Sequence, residues 1–100
     1  GAVAAISHLP HLVASVLSAS TSRDHLSLAG SGWRDTTRTA AGNAELWRQI
    51  LADNRQHVLQ SLDNFAKVLT EFRDALAAEN QTDLINLLEA GKRNRDSLGS

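Results

Sequence analysis

Two short polar clusters and one tryptophan hold the side chains that could do chemistry. The first cluster is Ser7-His8-Leu9-Pro10-His11. Ser7 and His11 are four residues apart and share one face of a helix, while His8 is expected to point elsewhere. A hydroxyl and an imidazole can serve a polar ligand. They can equally serve a backbone carbonyl freed by a kink, and spacing alone leaves the two roles evenly balanced. A metal centre at His8 and His11 is not expected, because no third ligand accompanies them and Pro10 distorts the turn. The second cluster is Gly32-Trp33-Arg34-Asp35-Thr36-Thr37-Arg38. Arg34 and Arg38 are one helical turn apart, and a guanidinium grips carboxylate or phosphate through two parallel hydrogen bonds. Taken alone, the spacing favours a simple solvated pair between Asp35 and Arg38, worth roughly a few tenths of a kcal/mol. Gly30-Ser31-Gly32 makes a poor phosphate loop, with no third glycine, no P-loop lysine after it and no strand before it. Trp47 by its spacing reads as a core residue. His25 and His57 read as surface or partly buried, and Arg48 and Arg55 as a solvated face. No serine, histidine and aspartate stand at nucleophile spacing, and no carboxylate pair has a reason to titrate abnormally.

Composition bounds what these groups can do. One hundred residues make one domain and are too few for a complete two-domain enzyme. Ten Lys and Arg against eleven Asp and Glu leave a net charge of -1, which speaks against a general nucleic-acid binder. Without cysteine there is no disulfide and no cysteine-liganded zinc or iron–sulfur site. Absence of cysteine fits a reducing compartment, so a cytoplasmic location is expected. The most apolar stretch, Ala2 to Leu17, is interrupted by Ser7, His8, Pro10 and His11. It is therefore not expected to span a membrane, and with neither a basic start nor a cleavage site it is not expected to be a signal peptide.

The elements that must position the clusters are helices from end to end. Ala and Leu dominate the periodic stretches, and no run alternates long enough to make a strand. Ala2 to Ser20 predicts a buried helix, apolar nearly all round, with a kink near Ile6–Leu9 forced by Pro10. Thr21 to Asp24 is a break, His25 to Ala29 a short turn, Gly30-Ser31-Gly32 a flexible junction, and Trp33 to Thr39 a short helix or turn. Asn43 is a good N-cap. From there Trp47, Leu51, Val58, Leu62, Phe65, Leu69, Phe72 and Leu76 predict one continuous helix to about Ala78, with Asn54 filling a gap in the stripe. A break at Glu79 to Gln81 precedes a last helix, capped by Asn80 or Thr82, that ends near Gly91 with a polar tail after it. Some 35 helical residues span about 52 Å, and a compact domain of this size has a radius of gyration of only ~13 Å. The stripe would protrude uncovered, so a helical homodimer is favoured over a bundle folded back near Asn64 or Ala75.

Together the clusters resemble a known family. Ala4-Ala5-Ile6-Ser7-His8-Leu9-Pro10-His11 resembles the start of the helical C-terminal domain of prephenate/arogenate dehydrogenases of tyrosine biosynthesis. Gly32 to Arg38 resembles the second signature of that family. Asn43-Ala44-Glu45-Leu46-Trp47 resembles its third, where proline often stands at the position of Ala44. Order and spacing agree along nearly the whole chain. The resemblance implies that residues 1–100 form a single C-terminal substrate-binding and dimerisation domain. Its fold would be the long-helix, all-α kind similar to the C-terminal domain of 6-phosphogluconate dehydrogenase. It further implies an oxidative decarboxylation of prephenate or arogenate with NAD or NADP, in a site between this domain and a nucleotide-binding one. Arg38 would grip a substrate carboxylate, Ser7 and His11 would hydrogen-bond substrate, Trp47 would wall the pocket, and Arg34 with Asp35 would form an ionic gate. The family's catalytic histidine and its glycine-rich dinucleotide loop belong to the other domain, so no catalytic residue is expected here. The polypeptide alone should neither bind NAD(P) nor turn over.

Prephenate is mildly favoured over arogenate, because the His11 imidazole can donate to a keto-acid, although Asp35 could receive arogenate's ammonium. A non-catalytic helical interaction module is the alternative of a different class. It predicts Ser7, His11 and Arg38 scattered over the surface, where the enzyme reading predicts that they converge with Trp47.

Overall fold

The structure, a computed structural model, describes residues 1–99. Pro10 shapes the start of the chain. Its ring has no N–H to donate and crowds the carbonyl four residues back. The helix answers with a π-helical turn over Ala4–His8, in which the Leu9 N–H donates to the Ala4 carbonyl five residues before it. Regular α-helix α1 then runs Leu9–Ser20. The expected kink thus takes the form of one widened turn. The Thr21 hydroxyl ends α1 by donating to the Leu17 carbonyl at 2.7 Å.

A 3-10 turn, Arg23–Leu28, is capped by Ser22, whose hydroxyl accepts from the Asp24 N–H. Helix α2, Ser31–Thr37, begins inside the stretch expected to be a flexible junction, with Gly30 as its cap and Gly32 in its first turn. A second 3-10 turn, Arg38–Ala41, follows directly. It packs against α1, as α2 does.

Asn43 caps helix α3, Ala44–Asp53, its side-chain oxygen accepting from the Leu46 N–H at 2.9 Å. The continuous helix expected to reach Ala78 is not present. Asn54 leaves helical geometry at φ -117° and ψ 31°, and helix α4 restarts as Arg55–Ala77. Neither glycine nor proline makes this break. Asparagine, a weak helix former that readily bonds outside the ladder, makes it. At 23 residues, α4 is about 35 Å long. It ends where the Asn80 N–H reaches the Ala75 carbonyl and the Glu79 N–H the Leu76 carbonyl, with Glu79 left-handed at φ 55°.

Helix α5, Gln81–Leu98, is capped by Asn80, whose oxygen accepts from the Asp83 N–H at 3.0 Å. It does not stop at Gly91. One internal glycine costs only about 1 kcal/mol, and the next turns carry a Lys92–Asp96 ion pair at 2.6 Å. All described elements are helical, so the fold is all-α.

The chain divides into two compact units, the first Gly1–Leu62 and the second from Asp63 onward. In the first unit, Ala4, His11, Ala14, Thr37 and Val58 are buried. Contrary to the expectation of a helix buried all round, Val3, Ile6 and Val16 are exposed by 58%, 77% and 58%. The Ala4–His11–Ala14 face is buried, and Leu9, Leu12, Val13 and Leu17 are partly covered. In the second unit Ala75 is buried, while Leu69, Leu76, Ile85 and Leu88 stand more than half exposed at 57%, 62%, 51% and 53%.

Candidate functional site

Three aromatic rings meet in the first unit. The His11 imidazole, from the first turn of α1, lies flat on the Trp47 indole from α3, with centroids 3.7 Å apart and planes 10° apart. His8 meets the same indole edge-on, at 6.3 Å and 85°. His8 therefore does not point elsewhere. It lies three residues from His11, which on a helix is a neighbouring position. The His8 ring nitrogen Nδ1 takes a hydrogen bond from the Asn54 side-chain amide at 3.3 Å. Trp47 nestles under the turn before α3. A Cβ at Gly42 would sit 3.1 Å from the indole Nε1 and 3.3 Å from the Thr39 carbonyl oxygen, so glycine permits this approach.

His11 is 8% exposed, and its Nδ1 is buried with no hydrogen-bond partner among the described residues. Leaving a buried N–H unmet is costly, so the proton of the neutral ring belongs on Nε2. Burial also holds the His11 imidazole below its ordinary value. Neutral His11 is then an Nε2–H donor.

Stability should depend on pH through this ring. The unfolded chain protonates His11 as pH falls below about 6.5, and the folded chain does so only at lower pH. Stability from this group is therefore complete above about 6.5 and is lost as pH falls through the lowered value. Urea unfolding of the wild type and of His11→Gln, at about pH 8 and about pH 5, should show a steeper acid loss for the wild type. Equal losses contradict the assignment.

The remaining site residues are placed as follows. Ser7 sits exposed in the π-helical turn, one turn before His11. Arg38 opens the 3-10 turn that packs against α1. Its side chain is exposed and makes no ion pair among the described residues. The solvated pair with Asp35 is likewise not formed. Arg34 donates from Nε to the Ala29 carbonyl at 3.4 Å rather than pairing with Asp35. The structure thus joins His11 to Trp47 directly and sets the turn bearing Arg38 against the helix bearing His11. Among the described residues it forms no ion pair between Arg34 and Asp35.

Sequence reasoning missed the parts that hold this arrangement. Trp33 Nε1 donates to the Thr21 hydroxyl at 3.2 Å, fastening α2 to the end of α1. Thr37 donates back to the Trp33 carbonyl at 2.8 Å. A tryptophan inside an otherwise polar heptapeptide was the available signal for the first.

The described residues do not fit a nicotinamide dinucleotide. They include no strand, so Gly30-Ser31-Gly32 is not set in the strand–turn–helix that cradles a dinucleotide. Nor do any three His, Cys, Asp or Glu side chains cluster as a metal would need, among those residues. No described helix is long and apolar enough to cross a membrane.

These features define an all-α domain in which His8 and His11 meet Trp47. Residues 1–90 match the family described as "Prephenate dehydrogenase, dimerization domain", and the chain belongs to it. It is similar to the prephenate dehydrogenase of Bacillus subtilis (strain 168), with 30% identity over 98% of this chain and 28% of that protein. It is also similar to the cyclohexadienyl dehydrogenase of Zymomonas mobilis, with 29% identity over 96% of this chain and 35% of that protein. Synechocystis arogenate dehydrogenase superposes with a TM-score of 0.87 at 31% identity, over 97% of this chain and 38% of that one. Prephenate dehydrogenase from A. aeolicus, solved with hydroxyphenyl propionate and NAD+, gives 0.82 at 27% identity over 97% and 36%. The chain spans 28% of the length of the first curated relatives it matches.

Proposed function

We propose that this chain is the substrate-binding and dimerisation part of a cytoplasmic prephenate dehydrogenase of tyrosine biosynthesis. The enzyme would convert prephenate to 4-hydroxyphenylpyruvate and carbon dioxide, using NAD or NADP. The observation that carries the reading is the buried His11 ring, stacked on Trp47 and with its Nδ1 unpartnered among the described residues, beside a turn that carries an uncommitted arginine.

Each group suits one part of the substrate. Prephenate has two carboxylates, and Arg38 is the residue to hold one of them through paired N–H donors. His11, neutral and protonated on Nε2, donates to a substrate oxygen without bringing a charge into the stack. Ser7 offers a hydroxyl from the widened turn. Trp47 supplies a flat apolar wall that excludes water. Arg34 and Asp35 flank the approach as a gate. A nicotinamide dinucleotide supplies hydride acceptance, and these residues furnish no cradle for it.

One observation favours a second reading, arogenate as substrate. Asp35 has no ion-pair partner among the described residues, and its carboxylate could receive arogenate's ammonium. Steady-state rates of the full-length dehydrogenase with both substrates decide between them. A higher kcat/KM is expected for prephenate, and a higher value for arogenate reverses the assignment.

The dimer reading is supported by the family's description as a dimerization domain and by the uncovered apolar side chains of α4 and α5.

A further inference from the structure

We infer that Asn54 is a positioning residue for the substrate site. It breaks the helix between α3 and α4 and donates its amide to His8, and in doing so it fixes the imidazole–indole–imidazole cluster that presents His11. The inference rests on the reading of His11 and Trp47 as substrate-contacting groups.

Asn54 is out of place twice. It occupies an apolar slot of the stripe, between Leu51 and Val58. It also interrupts a run of otherwise helix-forming sequence, with φ -117° and ψ 31°. Each departure costs stability, and each is used. The amide donates to His8 Nδ1 at 3.3 Å, across 46 residues of sequence.

The bond constrains chemistry as well as place. A ring nitrogen that accepts cannot carry the proton, so neutral His8 holds it on Nε2. Fixed in that tautomer and orientation, His8 stands at 85° to the Trp47 indole, an edge-to-face geometry that aromatic quadrupoles favour. The indole in turn lies 3.7 Å from His11. No group among the described residues bonds to His11 Nδ1, so packing sets where the His11 Nε2 donor points. Asn54 acts on that packing through two rings and touches no substrate itself.

Two variants separate this role from mere support. Asn54→Ser keeps a residue that tolerates the break but falls short of His8. Asn54→Asp keeps a side chain that reaches His8, now purely as an acceptor, and so should move the His8 proton to Nδ1. Imidazole nitrogen and proton shifts of the chain, read by NMR, report both His8 tautomers and the ring-current shift that Trp47 imposes on His11. In Asn54→Ser the His11 ring-current shift should shrink and the His8 tautomers should mix. In Asn54→Asp the shift should persist with the His8 tautomer reversed. In the full-length dehydrogenase, Asn54→Ser should raise KM for prephenate about three- to tenfold, with kcat changed less than about twofold. Asn54→Asp should restore most of KM.

An unchanged His11 shift in Asn54→Ser overturns the inference, as does an Asp variant whose His8 keeps its proton on Nε2. An equal fall of kcat in both variants also overturns it, since that marks a general structural role. A His11→Ala enzyme with unchanged KM overturns the parent reading instead, because the ring shifts report the coupling to Asn54 without any substrate.

Discussion

With prephenate as the proposed substrate, Arg38→Leu in the full-length protein is expected to raise KM by at least about 30-fold while leaving helicity and dimerisation intact. The size follows from what the arginine does before and during binding. In the ligand-free chain its guanidinium is exposed and engages no carboxylate among the described residues, so removing it costs the fold almost nothing. When substrate enters, one of its carboxylates must leave water. Without the guanidinium that charge is left partly desolvated and unpaired, a loss of about 2–5 kcal/mol, or roughly 30- to 5,000-fold. The lower end applies if the bound arginine stays partly in contact with solvent. Arg38→Lys should recover only part of the loss, because an ammonium is a point donor and cannot grip both oxygens in parallel. Steady-state kinetics with circular dichroism as a control provides the check. A change below about threefold would remove Arg38 from the substrate site.

The second large effect is on assembly. Leu76→Asp should convert a dimer into a monomer of 10.8 kDa, seen by sedimentation at micromolar concentration. Leu76 lies 62% exposed, near Ile85 and Leu88, and the three line an open cavity of about 380 Å³ with Ala75 and Leu84. Large aliphatic side chains around such a notch lose contact with water only if another chain fills it. Burying one leucine is worth about 1.5–3 kcal/mol. In a two-fold interface every substitution occurs twice, so the loss doubles to about 3–6 kcal/mol before the cost of burying a carboxylate. Dissociation should rise by roughly two to four orders of magnitude. A wild-type chain that already sediments at 10.8 kDa would contradict the homodimer, and a variant that stays dimeric would place its interface away from Leu76.

The apolar stripe through α3 and α4 meets two different fates along its length. Val58 is 6% exposed, whereas Leu69 and Leu76, on the same periodic face, are 57% and 62% exposed. Periodicity announces an apolar face equally well in both cases. It does not say whether this chain or another covers it. Periodicity also overstates the helix length, since Asn54 divides the element. The uncovered side chains of the second unit carry the dimer argument in its place.

Several features are legible in sequence because they depend only on near neighbours. Asn43 and Asn80 cap α3 and α5 through bonds to backbone N–H groups three residues on. Pro10 deforms the turn before it, as its missing N–H requires. Helix throughout, the clusters Ser7 to His11 and Gly32 to Arg38, and the family itself can all be read from residue type, order and spacing. Gly91 misleads because a lone glycine is a modest local penalty, and the turns after it outweigh it.

Local chemistry along the chain thus determined which residues form helices, where α3 and α5 begin, and which polar groups were candidates for binding. Only the tertiary structure decided which of those groups meet. His8, His11, Trp47 and Asn54 are brought together from segments up to 46 residues apart. The physical reason is range. Caps, turns and helical periodicity are settled within a few residues, whereas ring stacking and a cross-chain hydrogen bond exist only once separate helices have packed. The break at Asn54 belongs to the second kind, because leaving the helix gains its compensating bond only when His8 is already there to accept it.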